Sequence, residues 1–153
     1  MHSDEELENI KTVRNVALNL LARREHSQYE LQQKLSQRSH SSDVVEIVIE
    51  RLQQEDLLSD TRYSESYARV RANKGYGPLR IRQELRERGV AKETVAEVLD
   101  DITENWLEIL QRAHDKKFNS AQLGDATERA KRIRFLQQRG FELDLINQFF
   151  KMK

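Results

Sequence analysis

No cysteine occurs in the 153 residues, which excludes disulfides, zinc–thiolate sites and cysteine nucleophiles and is compatible with a reducing compartment. Proline appears once and glycine five times, too few to punctuate a β-rich chain. Apolar runs extend over a few residues only, far below the roughly 18 that suggest a membrane span. The first ten residues, MHSDEELENI, are acidic and lack the basic-then-apolar pattern of a leader. These absences lead to the expectation of a soluble cytoplasmic protein with no membrane partner. The length excludes a large enzyme and leaves one ordinary domain or a few very small ones. With 37% apolar and 34% charged residues and a mean hydropathy of −0.82, the chain has little apolar surface for a thick core, so thin helical layers are expected.

What is present reads as helix almost throughout, with apolar residues three and four apart and no alternating β-branched runs. The spacing predicts a first helix over about residues 7–24, behind an acidic tail, with Ile10, Val13, Ala17, Leu20 and Leu21 on its buried stripe. Ser27 with Glu30 forms a capping-box pattern before Leu31 and Leu35, and Asp43 with Glu46 repeats it before VVEIVIERL.

A sub-pattern recurs in SQYELQQKLSQRS (27–39), PLRIRQELRERGV (78–90) and KRIRFLQQRGF (131–141). The second and third copies end in Arg88-Gly89-Val90 and Arg139-Gly140-Phe141, where glycine suits a left-handed helix cap; the first copy carries Ser39 instead. Each copy has a helix before it and a short one after it. The simplest parse is an all-α chain of three tandem three-helix repeats, with units over 1–58, 59–102 and 103–153. Units this small must share surface, so an elongated, curved array is expected, with a compact bundle as the alternative.

Lys plus Arg balances Asp plus Glu at 26 each, but not locally. Residues 62–92 hold nine basic side chains against three acids, and residues 93–108 hold six acids and no Lys or Arg. Blocks of opposite sign point to charged faces directed at partners. In the helix after Pro78, Arg80 and Arg88 each stand four residues from Glu84, which predicts pairing within the helix. Arg82 and Arg86 have no such mate and are left for an external partner. The preceding G-x-G-P, with Lys74 and Tyr76, is open to two readings: a tight turn between helices, or a helix start that receives a phosphate or carboxylate.

Any one of these arginines alone is most simply a solvated face. Arg69, Arg71, Lys74, Tyr76, Arg80, Arg82, Arg86 and Arg88, with Arg132 and Arg134 in the third copy, together form the candidate surface for nucleic acid or an acidic protein. Tyr63 and Tyr67, four apart, are expected in the core. His2, His26, His40 and His114 lack matching ligands at helical spacing, and Asp100, Asp101 and Glu104 are read as a helix-junction acid cluster rather than a metal site. No catalytic set, cofactor or metal is expected, although hydrolysis at those three acids is kept as one competing reading.

RYSESYARVRANKGYGPLRIRQELRERGV (62–90) resembles the central signature of the RecX family of recombination regulators, and ALNLLARREHSQYELQQKL and KRIRFLQQRGFELDLI resemble its first and last units. The resemblance covers about residues 10–150. It implies an array of three-helix repeats, acting as a monomer, that binds the RecA filament along its groove. It also implies restraint of strand exchange, ATP hydrolysis and co-protease activity, a place in recombination, repair and the SOS response, and single- or double-stranded DNA as a further partner. A stand-alone helical DNA-binding protein is the alternative, against which the near-zero net charge argues. Ser64 and Ser66 depart from the family pattern.

Overall fold

Short polar side chains start most of the helices. Ser3, Ser27, Ser59 and Asp125 each accept the backbone N–H three residues on, and Asn105 accepts that of Leu107, satisfying amides that a helix start leaves unpaired. The computed structural model describes residues 3–38, 40–102, 105–118 and 124–152. Among these it forms nine helices and no strand: α1 Asp4–Arg23, α2 Gln28–Ser36, α3 Ser42–Gln54, α4 Asp60–Asn73, α5 Pro78–Glu87, α6 Lys92–Asp100, α7 Trp106–Lys117, α8 Ala126–Gln138 and α9 Leu143–Lys151. Helices pack mainly within the triplets α1–α3, α4–α6 and α7–α9, so three tandem three-helix units are what the chain builds.

Three local expectations change. The acidic tail is the first turn of α1, where Asp4, Glu5 and Glu6 face the positive end of the helix dipole. The cap of α3 is Ser41, with Asp43 already inside the helix. Glu30 completes only half a capping box: its amide bonds to Ser27, but its carboxylate turns to Arg24 at 2.7 Å. Ser39, His2 and Glu104 lie outside the described residues.

Among the described residues the apolar side chains form two cores across the three units. Ile10, Val13, Ala17, Leu31, Leu35 and the valines of α3 close the first unit by itself. Ile81, Leu85 and Val95 of the second unit and Leu110, Leu136 and Phe149 of the third belong to one continuous cluster. Fully burying a leucine or isoleucine contributes about 1.5–3 kcal/mol, so each cluster supplies the main stabilising term for its part of the chain. The accessible surface is 9797 Å². A compact monomer of this mass would expose about 8,100 Å², and the excess is that of an extended array. Ser64 is fully buried in α4, and its hydroxyl has no partner among the described residues.

Candidate functional site

The middle helices of the units meet head to tail. Gly77, the N-cap of α5, donates its N–H to Arg139 O at 2.7 Å, and Leu79 N–H donates to Gly140 O at 3.0 Å. The start of α5 is therefore closed by the end of α8, and the Gly77 and Leu79 amides there are used by the neighbouring unit. A Cβ on Gly77 would stand 2.5 Å from Gly140 O, and one on Gly140 would stand 2.5 Å from Arg80 Cβ. Glycine is required on both sides because backbone meets backbone. Arg80 donates to Gln138 O at 3.1 Å, and Arg139 donates to Lys74 O at 3.2 Å. The G-x-G-P stretch is thus an inter-unit joint, which neither sequence reading anticipated.

The same parts recur one unit earlier. Ser27, the N-cap of α2, donates its hydroxyl to Arg88 O at 3.0 Å, and Gln28 N–H donates to Asp60 Oδ1 at 2.7 Å. A Cβ on Gly89 would stand 2.5 Å from Tyr29 Cβ. Arg62 spans the seam between the units to Glu25 and also pairs with Asp56, both at 3.0 Å. His26 is buried just before the cap, with Nδ1 3.0 Å from Arg24 O and Nε2 2.9 Å from Lys34 Nζ. Burial holds its pKa below the ordinary value, opposed by the Arg24 carbonyl and reinforced by the Arg24 and Lys34 cations.

The arginines divide between these joints and the outer faces. Glu84 leans toward α4, taking Arg71 in a fork at 2.8 and 2.9 Å and the Tyr67 hydroxyl at 3.0 Å. Burial pushes its carboxyl up, but the hydrogen bonds from Arg71 and Tyr67 outweigh this and hold it below the usual range. Burial and the bond to Glu84 push the Tyr67 hydroxyl up to about 12. Arg80 reaches Glu84 only at 3.5 Å, while Arg88 turns to the Glu84 backbone carbonyl at 3.0 Å and lies over the Tyr67 ring. The predicted pairing within α5 is therefore mainly replaced by a pairing to α4. Tyr76 is half-buried among Arg71, Arg80 and Arg139.

Arg69, Lys74, Arg82, Arg86 and Arg134 are exposed; Arg86 donates to Val90 O at 3.1 Å. Arg132 is 4% exposed, paired to Glu128 at 3.2 Å and stacked on Phe118. The repeat register held the signal for this: Arg132 stands seven residues before Arg139, as Ile81 stands before Arg88 and Leu31 before Arg38. The sequence reading named Arg139 only as a helix ending and left it out of the candidate surface. Tyr63 is buried and stacked on Tyr67. Asp100 and Asp101 are exposed at the end of α6, and no cluster of metal-ligating side chains occurs among the described residues. No helix among the described residues is long and apolar enough to cross a membrane.

Three family models match the chain in series: the first three-helix domain of RecX over residues 14–52, the second over 59–99 and the third over 103–150. The chain belongs to the RecX family. It is 46% identical over 134 residues to the regulatory protein RecX of Pseudomonas putida strain W619, covering 88% of this chain and 86% of the relative. Identity to the regulatory protein RecX of Halorhodospira halophila is 43% over 136 residues, covering 89% and 84%. The crystal structure of RecX from Lactobacillus salivarius superposes with a TM-score of 0.80 at 22% identity, covering 95% of this chain and 97% of that one. A second RecX crystal structure gives 0.80 at 20% identity over 99% of this chain and 79% of that chain. At those identities the two structures establish the fold: a RecX array of three units.

Proposed function

We propose that this chain is a non-catalytic regulator of a RecA recombinase, binding the RecA–DNA filament along its groove and restraining strand exchange, ATP hydrolysis and co-protease activity. The observation that carries this reading is the succession of three RecX domains across nearly the whole chain, shared with relatives that carry the name regulatory protein RecX. The extended surface supports it, since α1 alone, with 20 residues, is about 30 Å long and an array of such units reaches across several subunits of a polymer. Many weak contacts then act together through multivalency.

Of the candidate partner-binding residues, Arg69, Lys74, Arg82, Arg86 and Arg134 present their charge outward and are assigned to filament protein or enclosed DNA. Arg71, Tyr76, Arg80 and Arg88 hold the second unit together and join it to the third.

The test is RecA ATPase on single-stranded DNA, titrated with the wild-type chain and with the double variant R82E/R86E at two salt concentrations. Inhibition by wild type is expected, weakened about tenfold in the double variant, which corresponds to about 1.4 kcal/mol of contact energy. Absence of inhibition by wild type sinks the function. Full inhibition by a helical double variant sinks the assignment of this face. Bare single-stranded DNA bound as tightly as RecA-coated DNA favours a stand-alone DNA-binding protein instead.

A further inference from the structure

At the joint of the second and third units, three guanidinium groups crowd one aromatic ring. Their central carbons lie 3.8 Å (Arg71), 4.5 Å (Arg139) and 4.7 Å (Arg80) from the Tyr76 ring centre. Cation–π attraction holds each to the ring but leaves the repulsion among them. Among the described residues one carboxylate, Glu84, pairs with Arg71 and Arg80, and none pairs with Arg139. Glu84 commits its oxygens to Arg71 and Tyr67 and meets Arg80 only at 3.5 Å. The carbonyls of Gln138 and Lys74 take one N–H each from Arg80 and Arg139. A guanidinium has five N–H donors, so most of those on Arg139, and Arg80's outer ones, stay available. The Arg80 side chain is 42% exposed, and Lys74 adds an exposed cation at the same turn.

We propose that this corner is an oxyanion site that takes one phosphate group, shared by Arg80 of the second unit and Arg139 of the third, and that its occupancy stiffens the joint. A phosphate offers multiple charged acceptors with the spacing a guanidinium fork matches, which a lone chloride does not. Because the two arginines come from different units, the site is whole only while the joint is closed, so a bound phosphate stabilises that closed state by linkage. The adjoining groove of about 360 Å³ is lined in part by Glu84 and Glu87, which disfavour an anion on that side of Arg80. The phosphate comes either from a nucleic-acid backbone or from a free phosphate or nucleotide.

Thermal melting of the purified chain in inorganic phosphate, against chloride at matched ionic strength and pH, tests the site. Phosphate is expected to raise the wild-type midpoint by about 3 °C. The rise should vanish in Arg80→Gln, fall by more than half in Arg80→Lys, which keeps the charge without the fork, and shrink in the surface variant Lys74→Gln. A wild-type midpoint indifferent to phosphate overturns the proposal. So does an undiminished rise in both Arg80→Gln and Lys74→Gln, or an equal rise with polyglutamate. Salt titration of binding to a roughly 20-nucleotide oligothymidylate separates the sources. A slope lower by about 0.7 in Arg80→Gln assigns the phosphate to a nucleic acid, and an unchanged slope beside a lost phosphate effect assigns it to a free ligand. None of these readouts involves RecA, so failure of the filament reading and failure of this one are told apart.

Discussion

Between the second and third units, backbone amides of Gly77 and Leu79 bond directly to Arg139 and Gly140 beside an apolar core common to both units. Between the first and second, the corresponding contacts run through the side chains of Ser27, Asp60 and Arg62, and the first unit keeps its own core. A net hydrogen bond contributes about 0.5–1.5 kcal/mol, whereas each buried leucine-sized side chain contributes about 1.5–3. The difference teaches that a repeated joint takes its stiffness from what lies behind it. The second and third units are therefore expected to unfold as one cooperative body, with the first opening from it at lower cost.

Adding one methyl group to each joint should break the comparison most visibly. Gly77 has an ordinary negative φ of −91°, so Gly77→Ala strains only the approach to the Gly140 carbonyl and the Phe141 ring and is expected to cost about 2–3 kcal/mol. Gly89→Ala meets Tyr29 across the yielding joint and mainly carries the strain of its φ of +80°, about 1 kcal/mol. Urea melts followed by circular dichroism and by Trp106, which packs on the shared core, check both. Trp106 should respond strongly to Gly77→Ala and by only about 1 kcal/mol to Gly89→Ala, whose strained turn belongs to the second unit.

Ser27→Ala removes the α2 cap and the bond to Arg88 O together, with an expected loss of about 1–2 kcal/mol confined to the helicity of the first unit. A transition at Trp106 that moves equally would mean the two bodies unfold as one.

The buried His26 sharpens the contrast through pH. Its folded pKa lies below that of the unfolded chain, so its contribution is complete above about pH 6.5 and is lost as pH falls through the interval beneath. The circular-dichroism midpoint should drop from pH 7.5 to 5.5 by more than that of Trp106, and His26→Gln should flatten the profile. The smallest effect is expected from Arg62→Gln. Its pairs with Glu25 and Asp56 are well exposed, so at most about 1 kcal/mol should be lost, and less in high salt.

Helix type and the triplet repeat were legible because apolar period, caps and the Arg-Gly endings agree. The joints were not, since head-to-tail contact is a long-range event: nothing local to Gly77 announces Gly140, 63 residues on. The candidate face was legible in composition but not in disposition. Glu84 had equally spaced mates on its own helix, yet Tyr67 and Arg71 on α4 offered it two further donors in better geometry. Arg132 was misplaced on the outer stripe for want of counting back from Arg139, where Leu31 and Ile81 mark the inward position.

The third middle helix starts earlier than its counterparts. Its cap, Asp125, lies fourteen residues before Arg139, whereas Ser27 and Gly77 each lie eleven before Arg38 and Arg88. The position in register with Ser27 and Gly77, Glu128, is already within a helical turn rather than at a cap. The start of α8 thus differs from the starts of α2 and α5, whose caps sit in register and meet the end of the next middle helix.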